Sequence, residues 1–246
     1  MFEKKEKLYE GKSKIVYASN DPNVNILYYK DDATAFNAKK KGTIHNKGVY
    51  NNKIASAIFK MLEAKGVKTH FVKCLSEREM AVKKLEIIPV EVVVRNIVAG
   101  SLSKRLGIEE GVELPEPLLE FFYKSDPLDD PMIAEQHILL FKWATADEIA
   151  ILKREAFRVN QILKQYFKDR GIDLVDYKLE FGRYQGQVLL GDEITPDGCR
   201  LWDSQTKEKL DKDRFRRDLG KIEEAYQRVY ATVCGGAMWR PRSMWL

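Results

Sequence analysis

From Leu174 to Phe181 the sequence alternates strictly, with Val175, Tyr177, Leu179 and Phe181 in one parity and Asp176, Lys178 and Glu180 in the other. A period of two marks a strand with one face in a core and the other free to be polar, so this chain must build a sheet that presents three charges in a row. Gln187 to Asp192 follows after Gly182 to Gly186. A five-residue hairpin loop over 182–186 sets Phe181 opposite Gln187 and Asp176 opposite Asp192, on the same face as Lys178 and Glu180. Like charges facing one another across strands are destabilising, and a cation bound by this acidic face would relieve them. Oxygen donors without His or Cys suit magnesium, which takes one or two carboxylates and fills its shell with water and phosphate oxygens. Glu180 and Asp192 are the expected metal ligands; the competing reading is a structural cluster neutralised by Lys178.

The neighbouring segments predict an α+β fold with a largely antiparallel N-terminal sheet, because strands and helices are partly segregated and do not alternate. Lys7 to Tyr9 and Lys14 to Tyr17 predict a hairpin with a basic tip at Glu10-Gly11-Lys12-Ser13, and Ile26 to Tyr29 a further strand. Ile54, Ile58, Met61 and Leu62 repeat at helical spacing, and Gly66 stands where a left-handed cap ends a helix. Thr145-Ala146-Asp147-Glu148 is a capping box ahead of the stripe Ile149, Leu152, Ala156, Val159, Leu163 and Tyr166, with Gly171 ending the helix. Lys83 to Leu85 and Val90 to Val94 read as two strands joined through Ile87-Ile88-Pro89. The lobe boundary falls there, giving lobes 1–86 and 87–246, with the tail 234–246 unassigned.

At 246 residues, 44% hydrophobic and 32% charged, the chain can bury a substantial core and is neither disordered nor fibrous by composition. The stretch Met1 to Lys14 holds three glutamates and five lysines, which is not an export signal, and apolar runs such as Val92 to Val94 are too short for a membrane span. Cys74, Cys199 and Cys234 make neither a CxxC nor a Cys/His metal spacing, so a reducing cytoplasm is expected. The formal charge of +5 suits anionic small molecules as well as nucleic acid.

Several basic elements could hold phosphate. Gly11-Lys12-Ser13-Lys14 lacks the spacing of a Walker loop, yet its glycine allows close backbone approach while Lys12 and Lys14 carry charge; an ordinary turn is the alternative. Arg95-Asn96 leads to Gly100-Ser101-Leu102-Ser103-Lys104-Arg105, where Ser101 could cap a short helix and, with Arg95, accept a phosphomonoester. A basic surface helix is the competing view. Arg200 offers a second guanidinium fork. Asp211 to Arg217 reads by default as the start of a solvated helix, though its arginines could line an anionic pocket. His45, His70 and His137 have no nucleophile partner and are expected to be structural or exposed.

Taken together, these blocks resemble the SAICAR synthetases, the phosphoribosylaminoimidazole-succinocarboxamide synthases, from about Lys7 to Tyr230. The resemblance rests on Lys7 to Lys14, Asp31 to Asn37, Pro89 to Asn96, Gly100 to Arg105, Val175 to Gly182, Gly191 to Glu193, Pro196 to Asp203 and Asp211 to Arg216. It implies a two-lobed fold related to ATP-grasp and kinase-like architectures, with ATP between the lobes. On the resemblance, Gly11, Lys12, Ser13 and Lys14 meet the ATP phosphates, Lys83 and Leu85 border adenine, and Lys124 sits on the phosphate side. Glu180 and Asp192 match magnesium ligands; Arg95, Ser101, Arg105 and Arg200 match the ribonucleotide phosphate site; Asp176, Lys178, Lys212 and Arg216 fall in or near the substrate pocket. Lys12, Lys14, Asp176 and Lys178 are the catalytic candidates, and Asn37 with the 31–37 loop is the candidate for aspartate.

The implied reaction is ATP-dependent amide formation between L-aspartate and a carboxylated aminoimidazole ribonucleotide, through an acyl phosphate, in a cytoplasmic homodimer that engages neither nucleic acid nor membrane. A small-molecule kinase with the same ATP cleft is the nearest rival, distinguished by needing no aspartate. An RNA-binding module ranks below both, because its stacking aromatics should be exposed and its surface basic, whereas Tyr177 and Phe181 lie on an apolar face.

Overall fold

The computed structural model describes residues 2–35 and 40–235; Asn37 and the tail from residue 236 lie outside them. In chain order the elements are β1 (Lys4–Glu10), β2 (Lys14–Ser19), β3 (Val24–Tyr29), β4 (Asp32–Ala35), β5 (Lys40–Thr43), α1 (Lys47–Ala64), β6 (Phe71–Cys74), β7 (Glu79–Lys83) and β8 (Glu86–Ile97). They continue with α2 (Ser101–Leu106), β9 (Glu113–Tyr123), β10 (Met132–Ile133), α3 (Glu135–Leu140), α4 (Ala146–Lys168), β11 (Ile172–Tyr184), β12 (Gln187–Leu190), β13 (Cys199–Asp203), α5 (Asp213–Arg216) and α6 (Ile222–Cys234). A five-stranded sheet has the order β1-β2-β3-β7-β6, and a six-stranded sheet the order β10-β9-β8-β11-β12 with β13 also on β11. The pairings within both sheets are antiparallel, as expected of the α+β fold.

The basic-tipped hairpin forms as expected, closed by the Gly11 amide donating to the Lys14 carbonyl at 2.8 Å. In α1, Ile54, Ile58, Phe59 and Leu62 are buried at helical spacing, and Gly66 adopts φ +80° one residue past the C-cap. The Thr145 capping box is present in both directions, Glu148 N to Thr145 Oγ1 at 3.2 Å and Thr145 N to Glu148 Oε2 at 2.8 Å. Its helix buries Ile149, Leu152, Ala156, Val159, Leu163 and Phe167 against β11 and β8; Tyr166, expected to close that stripe, is only half-buried beside it. One hydrophobic cluster runs from Phe59 on α1 and Met80 on the first sheet to Tyr177 and Phe181 on the second. Each fully buried large side chain contributes roughly 1.5–3 kcal/mol, so the two sheets are locked through a shared interior.

Four expectations are corrected. The 182–186 loop is a two-residue turn, Gln185-Gly186 with φ +48° and +76°, so Phe181 pairs with Leu190 and Tyr184 with Gln187. Two successive left-handed residues match the twist of a tight hairpin, and glycine in the second makes it accessible. Asp192 therefore lies beyond β12 and not opposite Asp176. Pro89 does not join two strands: β8 runs through it, and the missing N–H falls where pairing shifts between Glu180↔Glu91 and Gly182↔Ile87. A further bulge between Leu174 and Asp176 removes Val175 from the Tyr177 face and packs it with Ile97, Ala99 and Trp202. Finally, Asp211, Asp213, Arg214 and Phe215 are buried, because Phe215 packs with Ala33, Ile44 and Tyr226 and so draws the segment inward.

Candidate active site

A cleft of about 600 Å³ opens between the β1–β2 turn and β7 on one side and the charged face of β8, β11 and the 191–200 segment on the other. Among the described residues, every site residue expected from sequence borders it except Arg105, which is drawn aside by an ion pair to Glu120; Asn37 lies outside the described residues. Gly11, Lys12, Ser13 and Lys14 arrive on the hairpin tip, Lys83 and Leu85 on the link into β8, and Lys124 from the end of β9.

At one end, Asp176 is held by arginines from both neighbouring strands. It pairs in register with Arg95 of β8 and Arg200 of β13. Arg95 Nη1 donates to Asp176 Oδ2 at 2.8 Å, and Arg200 Nη1 to its two oxygens at 3.0 and 2.9 Å. The pattern extends outward: Glu120 accepts Arg95 Nε at 2.7 Å, while Asp213 accepts Arg200 Nε at 2.9 Å and Arg216 Nη1 at 2.6 Å. Acid and base thus alternate as Glu120, Arg95, Asp176, Arg200, Asp213 and Arg216 across four strands and α5. Burial alone would raise the Asp213 carboxyl, but Arg200 and Arg216 outweigh it and hold it at about 2. Ser101 does not cap α2; it stands inside the first turn and its Oγ accepts Arg95 Nη2 at 3.0 Å. Gly100 precedes it at φ +57°, with the Arg200 guanidinium where a side chain would project.

At the other end, Glu180 faces Glu91 in register, and Lys178 Nζ joins them at 2.7 Å to Glu91 and 3.3 Å to Glu180. Lys124 donates to Glu180 at 2.8 Å. Asp192, in a left-handed turn at φ +53°, is ion-paired with Lys14, which also lies 3.5 Å from Glu193; Lys12 pairs with Asp126 at 2.7 Å. Burial works against charge here, yet Lys14, Lys178 and Lys124 hold the Asp192 carboxyl far below its ordinary range, and the surrounding carboxylates raise Lys14 and Lys178. Glu91 is pushed up by burial and by Glu180, and Glu193 by burial and its acidic neighbours.

The donor chemistry fits a hard divalent cation. Among the described residues, Glu180 and Asp192 present carboxylate oxygens to one cleft with lysines as partners, and the buried Glu193 Oε2 has no hydrogen-bond partner. Among the described residues no three His, Cys, Asp or Glu side chains form a metal cage.

Sequence reasoning missed Glu91, Glu193, Asp197 and His70 as cleft residues. A glutamate inside the apolar run Val90 to Val94 was a legible signal, because an unpaired buried carboxylate is costly. His70 had none: it is buried against Phe59 and Lys14, and burial and the Lys14 charge push its imidazole down to about 3. His137 instead accepts the Ala134 amide at 3.0 Å, and the three cysteines are free.

A sequence model of the family described as SAICAR synthetase matches residues 7–233. Phosphoribosylaminoimidazole-succinocarboxamide synthase of Caldanaerobacter subterraneus subsp. tengcongensis is 57% identical over 231 residues, covering 94% of this chain and 98% of that one. The crystal structure of the enzyme so named from Ehrlichia chaffeensis superposes with a TM-score of 0.91 at 49% identity, covering 93% of this chain and 98% of that one. A SAICAR synthetase solved in complex with ADP superposes at 0.90 with 48% identity, covering 92% and 97%. Among the described residues no helix is long and apolar enough to cross a membrane.

Proposed function

The chain belongs to the SAICAR synthetase family, and from that premise we propose how its cleft divides the work of the reaction. The protein is an ATP-dependent carbon–nitrogen ligase of purine biosynthesis that condenses L-aspartate with the carboxylated aminoimidazole ribonucleotide. The observation that carries the assignment of groups is the charge order of one continuous cleft, with paired arginines at one end and lysine-bound carboxylates at the other.

The ribonucleotide phosphate binds at Arg95, Ser101 and Arg200, with Asp176 and Glu120 fixing the two guanidiniums so that little ordering is left for substrate binding. Asp176 acts as a positioning residue, since both its oxygens are engaged. ATP phosphates lie against Gly11, Lys12, Ser13, Lys14 and Lys124, and adenine against Lys83 and Leu85. Residues 1–86 thus serve as the nucleotide lobe and residues 87–246 as the substrate and metal lobe. Glu180 and Asp192 would hold magnesium, which when bound neutralises charge on the transferring phosphoryl group.

A carboxylate resists amine attack because it is anionic and lacks a leaving group. Its oxygen attacks the γ-phosphorus of ATP, releasing ADP and giving an acyl phosphate; the aspartate amine then attacks the acyl carbon and expels phosphate. Although burial opposes their charge, the surrounding carboxylates raise Lys14 and Lys178, which suits them to orienting and neutralising phosphate and not to acting as bases. Cytoplasmic homodimers are the proposed setting, and sedimentation of the purified chain checks the stoichiometry.

ADP release measured with ATP, magnesium, aspartate and ribonucleotide omitted in turn tests the scheme. Dependence on all four is expected; release that ignores aspartate would instead favour a small-molecule kinase.

A further inference from the structure

Between β8 and β9 the chain makes a loop, residues 98–112, that contains α2 and leaves and returns at one neck. There the Val98 amide donates to the Val112 carbonyl at 2.8 Å and the Gly111 amide to the Val98 carbonyl at 2.9 Å. Residues 103–112 are exposed or half-buried throughout, so little apolar burial holds the loop in place. A compact surface loop with adjoining ends is frequently functional. This one brings Gly100 and Ser101 from its neck to the arginines of the phosphate end.

Two contacts fasten that neck to the far side of the phosphate end. Ala99 packs with Trp202 of β13. Glu110 meets the segment beyond β13: Arg217 Nη1 donates to its Oε1 at 3.0 Å, Arg217 Nη2 is bound to its Oε2, and Lys209 Nζ lies 3.0 Å from Oε1. Lys209 is itself seated over the Trp202 ring at 4.4 Å, and the Arg217 amide donates to the Asp213 carbonyl at 2.9 Å, closing α5. Asp213 is the carboxylate that holds Arg200 and Arg216. The Arg217 hydrogen bonds above all, with Lys209 behind them, outweigh partial burial and hold the Glu110 carboxyl at about 2. An isolated surface ion pair contributes little, but a two-point fork between guanidinium and carboxylate adds fixed geometry to charge.

We propose that Glu110 is a positioning residue: gripped by Arg217 and Lys209, it fixes the neck of the 98–112 loop against β13 and α5 and so sets how Ser101 stands relative to Arg95 and Arg200. Glu110, Lys209 and Arg217 all lie outside the lining of the cleft, so the control is exerted from behind the site and not by contact with substrate. The inference rests on the ligase reading above and adds to it a second tier of support. Arg95 and Arg200 are already oriented by Asp176, whereas Ser101 arrives on a loop with little burial of its own; the Glu110 fork supplies the missing constraint.

Steady-state kinetics of purified Glu110→Gln, Arg217→Gln and the double variant test this, varying each substrate with the other two saturating. The sign of the effect is decisive. Glu110→Gln removes a negative charge near an anion site and by its field alone would tighten ribonucleotide binding, whereas a loosened neck weakens it. Glu110→Gln is expected to raise the ribonucleotide KM about three- to fivefold, the upper range for a partly exposed ion pair, with kcat and the ATP and aspartate KM within about twofold of the parent. Arg217→Gln should also raise the ribonucleotide KM, and the double variant should fall well short of the product of the two single effects, because both substitutions break the same contact. Trypsin should cut the loop after Lys104 or Arg105 faster in Glu110→Gln than in the parent, and ribonucleotide should slow that cut. An unchanged or lowered ribonucleotide KM in Glu110→Gln, full multiplication of effects in the double variant, or equal rises for all three substrates would overturn the role. Each of those results leaves the ligase reading intact; that reading fails separately, if ADP release by the parent chain ignores aspartate.

Discussion

Across the β8–β11 pair, Asp176 stands opposite Arg95 and accepts its Nη1 at 2.8 Å, with both residues almost fully buried. A carboxylate so placed holds a guanidinium in one orientation, and Arg200 on the opposite strand uses the same carboxylate. Asp176→Asn keeps the shape but removes the charge between two arginines. Breaking a buried pair in this way costs about 3–5 kcal/mol. The expected outcome is a large fall in Tm together with a raised ribonucleotide KM; melting curves and kinetics that match the parent would sink the positioning role.

Gly100 takes φ +57° directly beneath the Arg200 guanidinium. Alanine there meets both backbone strain of about 1–3 kcal/mol and a collision with Arg200. Gly100→Ala should raise the ribonucleotide KM and leave the ATP KM unchanged. Equal losses for both substrates would place the damage elsewhere.

Asp192 reaches the cleft through a left-handed turn and is ion-paired with Lys14, with the charges of Lys178 and Lys124 also acting on it. Removing one preorganised electrostatic group typically costs about 10²–10³ in turnover. Asp192→Ala should lose activity on that scale and require more magnesium, while circular dichroism stays unchanged. Chelation of divalent ions from the parent should abolish ADP release without unfolding it; near-normal turnover in either case would refute the metal assignment.

Asp211 is fully buried, accepts the Leu201 amide at 2.8 Å and the Asp213 amide at 2.7 Å, and is pushed up to about 7 by burial and by the Asp213 charge. Its unfolded value is near 3.9, so between about pH 4 and 7 the folded chain holds a proton that the unfolded chain has released. Stability from this group is complete below about pH 4 and drains away as pH rises to 7, by about 1.4 kcal/mol per unit. Denaturant unfolding of the parent and Asp211→Asn should show the parent's relative stability falling across that window. A difference that does not vary with pH would contradict the shifted carboxyl.

The elements that local chemistry decides were legible in advance. The β1–β2 hairpin, the α1 stripe closed at Gly66 and the Thr145 capping box each depend on residues a few positions apart, where backbone geometry and side-chain period leave little choice. The polar parity of Asp176, Lys178 and Glu180 likewise marked one face of β11, even though the hairpin register after it was read with too long a loop.

Which charges meet was a different matter. Lys14 and Asp192 are 178 residues apart, and Lys12 and Asp126 are 114 apart. No periodicity records such pairs, because they exist only once two sheets share a core and bring their polar faces across one cleft. The burial of Asp211 to Phe215 is of the same kind: its charged sequence favours water, and only the packing of Phe215 on Ala33, Ile44 and Tyr226 overrules it. Sequence alone determined the strands, helices and types of charge; folding decided which of those charges face one another, since electrostatic partnership depends on distance in space and local propensity does not encode it.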